Sequence, residues 1–358
     1  MSNSDKTPAS ARRGPRRRLA LKLAILSGTT LLGLLLLEFA IRLIFPYYSP
    51  STQVPFYNNA DGLVLGQPLK TSRQRTPKGD FDTTVSFNRL GFRDTRDLTR
   101  SSPSDIFVAG DSFSIGWGVE ETQRFSNVLE RDLATPCYNI CIPEDIRGYI
   151  ATVKYAEQQG AKIGHLVIGL CMENDVWDYT VPISTHEIYA RQMNKGVVRS
   201  AVKWIRSRSA LWICLSHVMQ KTAAGRSLFE KLGLAKNIEA MTHKNDYSPK
   251  ILAATRDELL KLTTNYNSVV LVIPSRGLWH GQNIAVEDKI HSELVALLRE
   301  SGVKLVDMRP VFEKTGRPLQ FYFTSDPHWN TNGHKLAGET LAQYLRALPD
   351  WKTAPGLR

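Results

Sequence analysis

The chain has 358 residues, of which 42% are hydrophobic and 22% charged, enough for one large domain with a full-sized core plus a tail. A formal net charge of +12 would suit an anionic partner, but Arg12, Arg13, Arg16, Arg17 and Arg18 fall in one terminal block that membrane topology accounts for. Neither zinc-finger spacing nor an aromatic–basic RNA motif is present, so nucleic-acid binding is disfavoured.

Residues 1–18 are polar and basic and read as a disordered cytoplasmic tail. An apolar run from Leu19 to Phe45 follows, interrupted by charge only at Lys22, Glu38 and Arg42. About 20 apolar residues span a bilayer as a helix, and Leu23 to Leu37 supplies most of that if Lys22 and Arg42 snorkel. Residues 19–45 therefore read as a retained single-pass anchor. Glu38-Phe39-Ala40-Ile41-Arg42 is too bulky and charged for a signal-peptide cleavage site, and a core helix would not be apolar on every face behind a basic block. The positive-inside rule keeps the arginine block in the cytoplasm and sends everything beyond about residue 46 outside. Glu38 costs free energy in lipid, which places it at the outer interface or against another helix. Residues 46–84, rich in Pro, Asn, Gly, Gln and Lys with weak periodicity, read as a juxtamembrane linker partly packed on a domain of residues 85–350.

Within that domain, strands are expected at 106–109, 137–142, 166–171, 269–274 and 303–307. Helices are expected at 122–133, 147–159, 250–264, 286–301 and 331–345, where apolar residues recur at three- and four-residue spacing. The alternation implies a three-layer α/β/α domain around a mostly parallel five-stranded sheet. The interval 178–248 does not fit the repeat. It reads as a helical insertion containing Trp204 and Trp212, either a cap whose tryptophans fill a junction or an interfacial helix or lid. Cys137, Cys141, Cys171 and Cys214 are too few for a disulfide scaffold, and there is no paired Cys/His array for zinc. At roughly 3.3 Å per residue, Cys137 and Cys141 lie beyond the ~7 Å Cα limit of a disulfide. Cys141 and Cys171 can approach if their strands are neighbours, and are otherwise buried free thiols.

The first strand runs into Gly110-Asp111-Ser112, a turn that holds one hydroxyl at the carboxyl edge of the sheet, where open α/β folds place their ligands. A lone hydroxyl is a weak nucleophile and needs a positioned base and an anion-stabilising site. The third strand ends at Met172-Glu173-Asn174-Asp175, which brings a side-chain amide to another carboxyl end. Near the carboxyl terminus, Asp326-Pro327-His328 offers an imidazole with a carboxylate two residues before it. Pro327 fixes its own φ and restricts Asp326, so both side chains can face one pocket. Trp329, and His280 after the fourth strand, are further pocket candidates. Asp111 and Asp175 read mainly as acids that organise loops, Arg93 as structural, and His334 as a surface or packing residue.

Together, Gly110-Asp111-Ser112, Asn174-Asp175 and Asp326-Pro327-His328 resemble the SGNH/GDSL hydrolase family over about residues 104–347. Asn88-Arg89-Leu90-Gly91-Phe92-Arg93-Asp94 is similar to the lead-in of membrane-anchored bacterial members. Asp326-Pro327-His328-Trp329-Asn330 is similar to the acid/base segment of the alginate O-acetyltransferase branch. The resemblance implies a flavodoxin-like sheet, Ser112 as nucleophile, His328 as general base and then acid, and Asp326 as the residue orienting the imidazole. It implies Asn174 and the Ser112 backbone N–H as oxyanion donors, with no cofactor and no metal. The chain departs from the pattern where Cys141 and Pro143 replace glycines after the second strand, and where Met172 replaces the glycine before Asn174. Pro143 has no N–H, so a donor there would come from Glu144 or Asp145. The implied activity is acyl-ester chemistry through a Ser112 acyl-enzyme in a periplasmic domain. Its outcome is hydrolysis of an acylated envelope or secreted glycan or a small ester, or O-acetyl transfer within envelope polysaccharide machinery. The altered second block would instead favour a non-catalytic glycan-binding or scaffold protein.

Overall fold

The computed structural model describes residues 15–49, 54–76, 79–181, 208–220 and 248–351, with isolated positions between 222 and 228. Helix α1 (Pro15–Ile44) carries the apolar run. Its stretch Leu19–Ile44 is long and apolar enough to cross a membrane, and leucines along it, such as Leu23, Leu32 and Leu36, are exposed. A helix apolar on every face and, apart from Ile41 near its end, left unburied by protein suits lipid. Residues 15–18, expected to be disordered, already belong to this helix; the remainder of the basic tail lies outside the described residues.

The expected linker contains strands. Phe56–Asn58 (β1) pairs antiparallel with Val64–Gly66 (β2), and Thr71–Arg75 (β3) with Asp82–Ser86 (β4). Asn59 makes the first turn by accepting the Asp61 and Leu63 N–H groups, each at 2.9 Å. The second hairpin is pinned to the domain: Gln74 Oε1 accepts the Gly118 N–H at 3.1 Å and Asp80 accepts the Ser325 N–H at 3.0 Å. Buried Leu63, Leu65 and Phe92 join the main core. Both hairpins thus pack against the domain.

From there strand and helix alternate. In chain order they are β5 (Ile106–Gly110), α2 (Ser112–Ile115), α3 (Phe125–Leu133), β6 (Cys137–Asn139), α4 (Ile146–Gln158), β7 (His165–Cys171), α5 (Ala210–Gln220), α6 (Pro249–Thr263), β8 (Asn267–Ile273), α7 (Ile284–Glu300), β9 (Leu305–Asp307), α8 (Met308–Glu313) and α9 (Thr331–Ala347). Strands β5–β9 form one parallel sheet in the order β6-β5-β7-β8-β9. The ladder continues past the end of β6, with Ile140 N–H on Val108 and Ile142 N–H on Gly110. Side chains alternate across the sheet. Phe107, Ala109, Ile168 and Val270 face the layer of α4, α6 and α7, while Ile106, Val108, Val167 and Leu271 face α3, α8 and α9. The strand order reverses between β5 and β7, so ligand chemistry is expected above their carboxyl ends. Of the expected insertion, 182–207 with Trp204 and nearly all of 221–247 lie outside the described residues.

Candidate active site

Ser112 opens α2 directly after β5. Asp111 caps that helix, its Oδ1 accepting the Phe113 N–H at 2.9 Å. The next turn is pressed onto the sheet by Ser114, whose side chain fills the space between Gly110 and Gly169, partners across β5 and β7. A Cβ on either glycine would collide with Ser114 Oγ, so the close approach demands glycine at both positions. Gly116 then ends α2 in the left-handed region, at φ 84°.

The loop that follows is fastened by the fully buried Arg93. Its guanidinium donates to the carbonyls of Ile115 (3.3 Å), Gly116 (2.6 Å), Thr84 (3.1 Å) and Val119 (2.7 Å). Burial, and after it the neighbouring Arg124 charge, lower the Arg93 pKa to about 9, which leaves it charged at neutral pH. Arg124, equally buried, donates to the Arg93 carbonyl. The structural reading of Arg93 thus acquires a content: it holds the loop beyond Ser112 in place.

Facing Ser112 is the segment Phe323–His328, closed by an isolated bridge between Tyr322 and Trp329 and by the Phe323 N–H on the His328 carbonyl at 3.0 Å. Asp326 Oδ1 accepts the His328 N–H at 3.0 Å and lies 2.6 Å from His328 Nδ1. His328 Nε2 is 2.8 Å from Ser112 Oγ. A carboxylate on Nδ1 fixes the proton there and leaves Nε2 as acceptor for the serine hydroxyl. Burial alone would raise the Asp326 carboxyl, but the hydrogen bonds and charge of His328, helped by Arg276, bring it below its usual range. Arg276 also clamps the segment mechanically, donating to the carbonyls of Phe323 (3.1 Å), Thr324 (3.1 Å) and Asp326 (3.2 Å). The imidazole packs against Phe113 and Trp117, with ring centroids 4.7 and 5.8 Å away.

Asn174, exposed at the end of β7, donates through Nδ2 to Asp111 Oδ2 at 3.0 Å. This bond aligns the amide and occupies one of its two N–H groups. Asp175 is fully buried and accepts the Tyr149 hydroxyl at 2.9 Å and the Cys171 N–H at 2.7 Å. Burial raises both Asp111 and Asp175; their mutual repulsion adds to Asp175, while the His328 charge and the Asn174 bond oppose the rise at Asp111.

The structure thus brings Ser112, His328, Asp326, Asn174 and Asp111 to one sheet edge, with Asp175 beneath. It does not bring the remaining candidates there. Trp329 is fully buried below the site, edge-on to Phe113 and Phe312, because strand alternation turns the residue after His328 into the core. His280 is exposed past the turn Arg276–Leu278. His334 is buried and stacks on Phe125. The Glu144 N–H, considered as a substitute oxyanion donor, is spent on the Ile142 carbonyl at 2.8 Å. Cys141 and Cys171 are separated by β5 and are free thiols. Arg124, Arg276 and Asn139 were not signalled by any motif. Asn139 Nδ2 donates to the Ser114 carbonyl at 2.8 Å and its N–H reaches Asp94 at 2.8 Å, tying β6 to the turn that carries Ser112.

Residues 238–357 match the family model of the SGNH hydrolase-like domain of acetyltransferase AlgX; the match includes Asp326 and His328 and starts downstream of Ser112. No curated protein sequence matches the chain. Among solved structures, the chain is similar to a lipolytic G-D-S-L family protein from Veillonella parvula DSM 2008, with 10% identity, 68% of this chain and 99% of that chain covered, and a TM-score of 0.41. It is similar to the catalytic domain of peptidoglycan O-acetyltransferase A from Streptococcus pneumoniae, with 11% identity, coverage of 69% and 94%, and a TM-score of 0.36. It is also similar to the acetylxylan esterase Axe2 from Geobacillus stearothermophilus, with 11% identity, coverage of 70% and 97%, and a TM-score of 0.38. The segment similar to the SGNH hydrolase-like domain of acetyltransferase AlgX thus carries Asp326 and His328, and the hydrogen-bonded line from them ends on the Ser112 hydroxyl at the same sheet edge.

Proposed function

We propose that Ser112, His328 and Asp326 act as a catalytic triad on an acylated glycan outside the cytoplasmic membrane, with Asn174 as an oxyanion donor. The observation that carries this reading is the unbroken line Asp326–His328–Ser112 at 2.6 and 2.8 Å. His328 Nε2 takes the Ser112 proton as Oγ attacks the ester carbonyl, and Asp326 stabilises the imidazolium that forms. The developing oxyanion is met by the second N–H of Asn174 and by the Ser112 N–H at the start of α2. His328 then protonates the leaving alcohol, and Ser112 is left acylated. In the second half-reaction His328 deprotonates the acceptor. Water completes an esterase cycle; a sugar hydroxyl completes an O-acetyl transfer.

The AlgX match over 238–357 favours transfer as the second reading. The outward location is supported by the arginine block that precedes the apolar run of α1. The full chain in detergent is to be incubated with p-nitrophenyl acetate and a fluorophosphonate probe beside Ser112→Ala. Labelling and acetate release are expected in the wild type and absent in the variant; equal labelling would remove Ser112 from the mechanism. Adding deacetylated oligosaccharide as acceptor separates the outcomes: O-acetylated product marks transfer, and free acetate alone marks hydrolysis.

A further inference from the structure

Glu38 is an acid within an apolar helix, and the structure gives it partners. Its carboxylate accepts from Ser209 Oγ, the Ala210 N–H and the Leu211 N–H, each at 2.8 Å, and from Arg42 Nε at 2.7 Å. Arg42 also donates to the Arg208 carbonyl at 2.5 Å. The Trp212 N–H goes to Ser209 Oγ and the Ile213 N–H to the Ser209 carbonyl, both at 3.1 Å. The N–H groups that open α5 are therefore all met, two of them by a carboxylate belonging to the anchor. A helix start in water can leave such groups to solvent, whereas one in hydrocarbon must satisfy all of them within the protein.

From this we infer that α5 lies in the outer leaflet beside the anchor and holds the domain to the bilayer through a second helix. The inference rests on reading α1 as a membrane span. The segment Leu23 to Ile44, at ~1.5 Å per residue, covers ~33 Å, close to the ~30 Å hydrocarbon core with slight tilt. Glu38 then sits ~9 Å inside the outer edge. Helix α5, of 11 residues, begins at that depth and rises beside α1. His217 near its far end lies 5.8 Å from the Tyr48 ring, within the aromatic cluster of Phe45, Tyr47 and Tyr48 that marks an interface. On the free side of α5, Leu215 is 49% and Val218 52% exposed, and on α1 Phe39, Leu43 and Ile44 are exposed as well. These side chains continue the lipid-facing surface of the span, which identifies acyl chains as what covers them. The Ser216 hydroxyl is turned back onto the Trp212 carbonyl, as Thr29 on α1 is turned onto Ile25, so neither presents an unpaired group to lipid.

The test uses the full chain in phosphatidylethanolamine–phosphatidylglycerol vesicles. A fluorophore is attached to Leu215→Cys in a Cys214→Ser background; the other three cysteines are buried. A second sample carries it on Leu32→Cys. Quenching by nitroxides near the headgroup end of the acyl chains is compared with quenching by aqueous iodide. The expected result is lipid quenching at both positions with iodide excluded, and a shift of position 215 toward iodide in Glu38→Ala while position 32 stays in lipid. Iodide access at 215 in the parent chain, or shelter from both quenchers as a protein partner would give, overturns the inference. So does a Glu38→Ala chain indistinguishable from its parent. Iodide access at position 32 would instead overturn the anchor reading itself.

Discussion

Removing the Asn174 amide separates catalysis from folding. Asn174 Nδ2 lies 3.0 Å from Asp111 Oδ2, so the carboxylate claims one amide hydrogen, excludes the flipped amide, and leaves the other hydrogen for a developing oxyanion. In Asn174→Ala that donor is lost, which for one oxyanion contact is worth about 2.7–4 kcal/mol, or roughly 10²–10³ in kcat. Asp111 also loses a partner, and a buried acceptor left unmet costs about 1–3 kcal/mol of stability. The two losses have different readouts. Hydrolysis of p-nitrophenyl acetate reports the first as a fall in kcat with KM little changed, and urea unfolding reports the second. Asp111→Asn keeps one oxygen for the Phe113 N–H but sets an NH2 against the Asn174 amide, which loses its alignment while keeping its own N–H groups, so the loss in kcat is expected to be smaller. The reasoning fails if folded Asn174→Ala turns over at the wild-type rate, or if Asp111→Asn is the more damaging change.

Asp326→Asn removes the charge that fixes the imidazole tautomer and is expected to lower kcat by about 10⁴-fold, read from the same hydrolysis assay in chains whose thermal unfolding shows them folded. Gly169→Ala places a Cβ against Ser114 Oγ and is expected to destabilise the domain by about 1–3 kcal/mol in urea titrations, with slower fluorophosphonate labelling as the nucleophile turn lifts. His334, held neutral by burial first and then by nearby positive charge, has its pKa lowered from 6.5 to about 3. Its contribution to stability is thus complete above pH 6.5 and is lost as pH falls toward 3, at up to about 1.4 kcal/mol per unit; unfolding curves collected across that interval should lose this slope in His334→Phe.

What was legible in the sequence follows from how each residue acts. Strand β5 announces itself because every residue of Ile106–Gly110 is buried, leaving a continuous apolar run. The hairpin of β3 and β4 stays hidden because Thr71–Arg75 buries little more than Gln74, and Asp82–Ser86 only Thr83 and Val85; its sequence is polar and its register is held by backbone pairing. The same distinction runs through the site. Ser112, Asn174 and the Asp326–His328 pair stand at strand ends or in a compact segment, where residue type and position together carry meaning. Arg93, Arg124 and Arg276 work by donating to backbone carbonyls, and a carbonyl has no residue type to recognise. Trp329 turns into the core and His280 lies exposed, since nearness in sequence does not tell which way a side chain turns.

Two aspartates near one imidazole show how environment divides their parts. Asp326 bonds to both the ring and the main chain of His328, and its carboxyl falls below its usual range despite burial. Asp111 bonds to the Phe113 N–H and the Asn174 amide, and burial prevails there, raising its carboxyl. By linkage the two pull in opposite directions. The favourable pairing of Asp326 stabilises the fold above its unfolded pKa and is lost as pH falls, whereas the strain of ionised Asp111 is relieved as it takes up a proton. A proton on Asp111 leaves the tautomer of His328 untouched but weakens the acceptor that aligns Asn174. A proton on Asp326 removes the charge that would stabilise imidazolium. Because Asp111 is raised and Asp326 lowered, acidification protonates Asp111 first, and Asn174 loses its aligning acceptor before His328 loses the carboxylate on Nδ1.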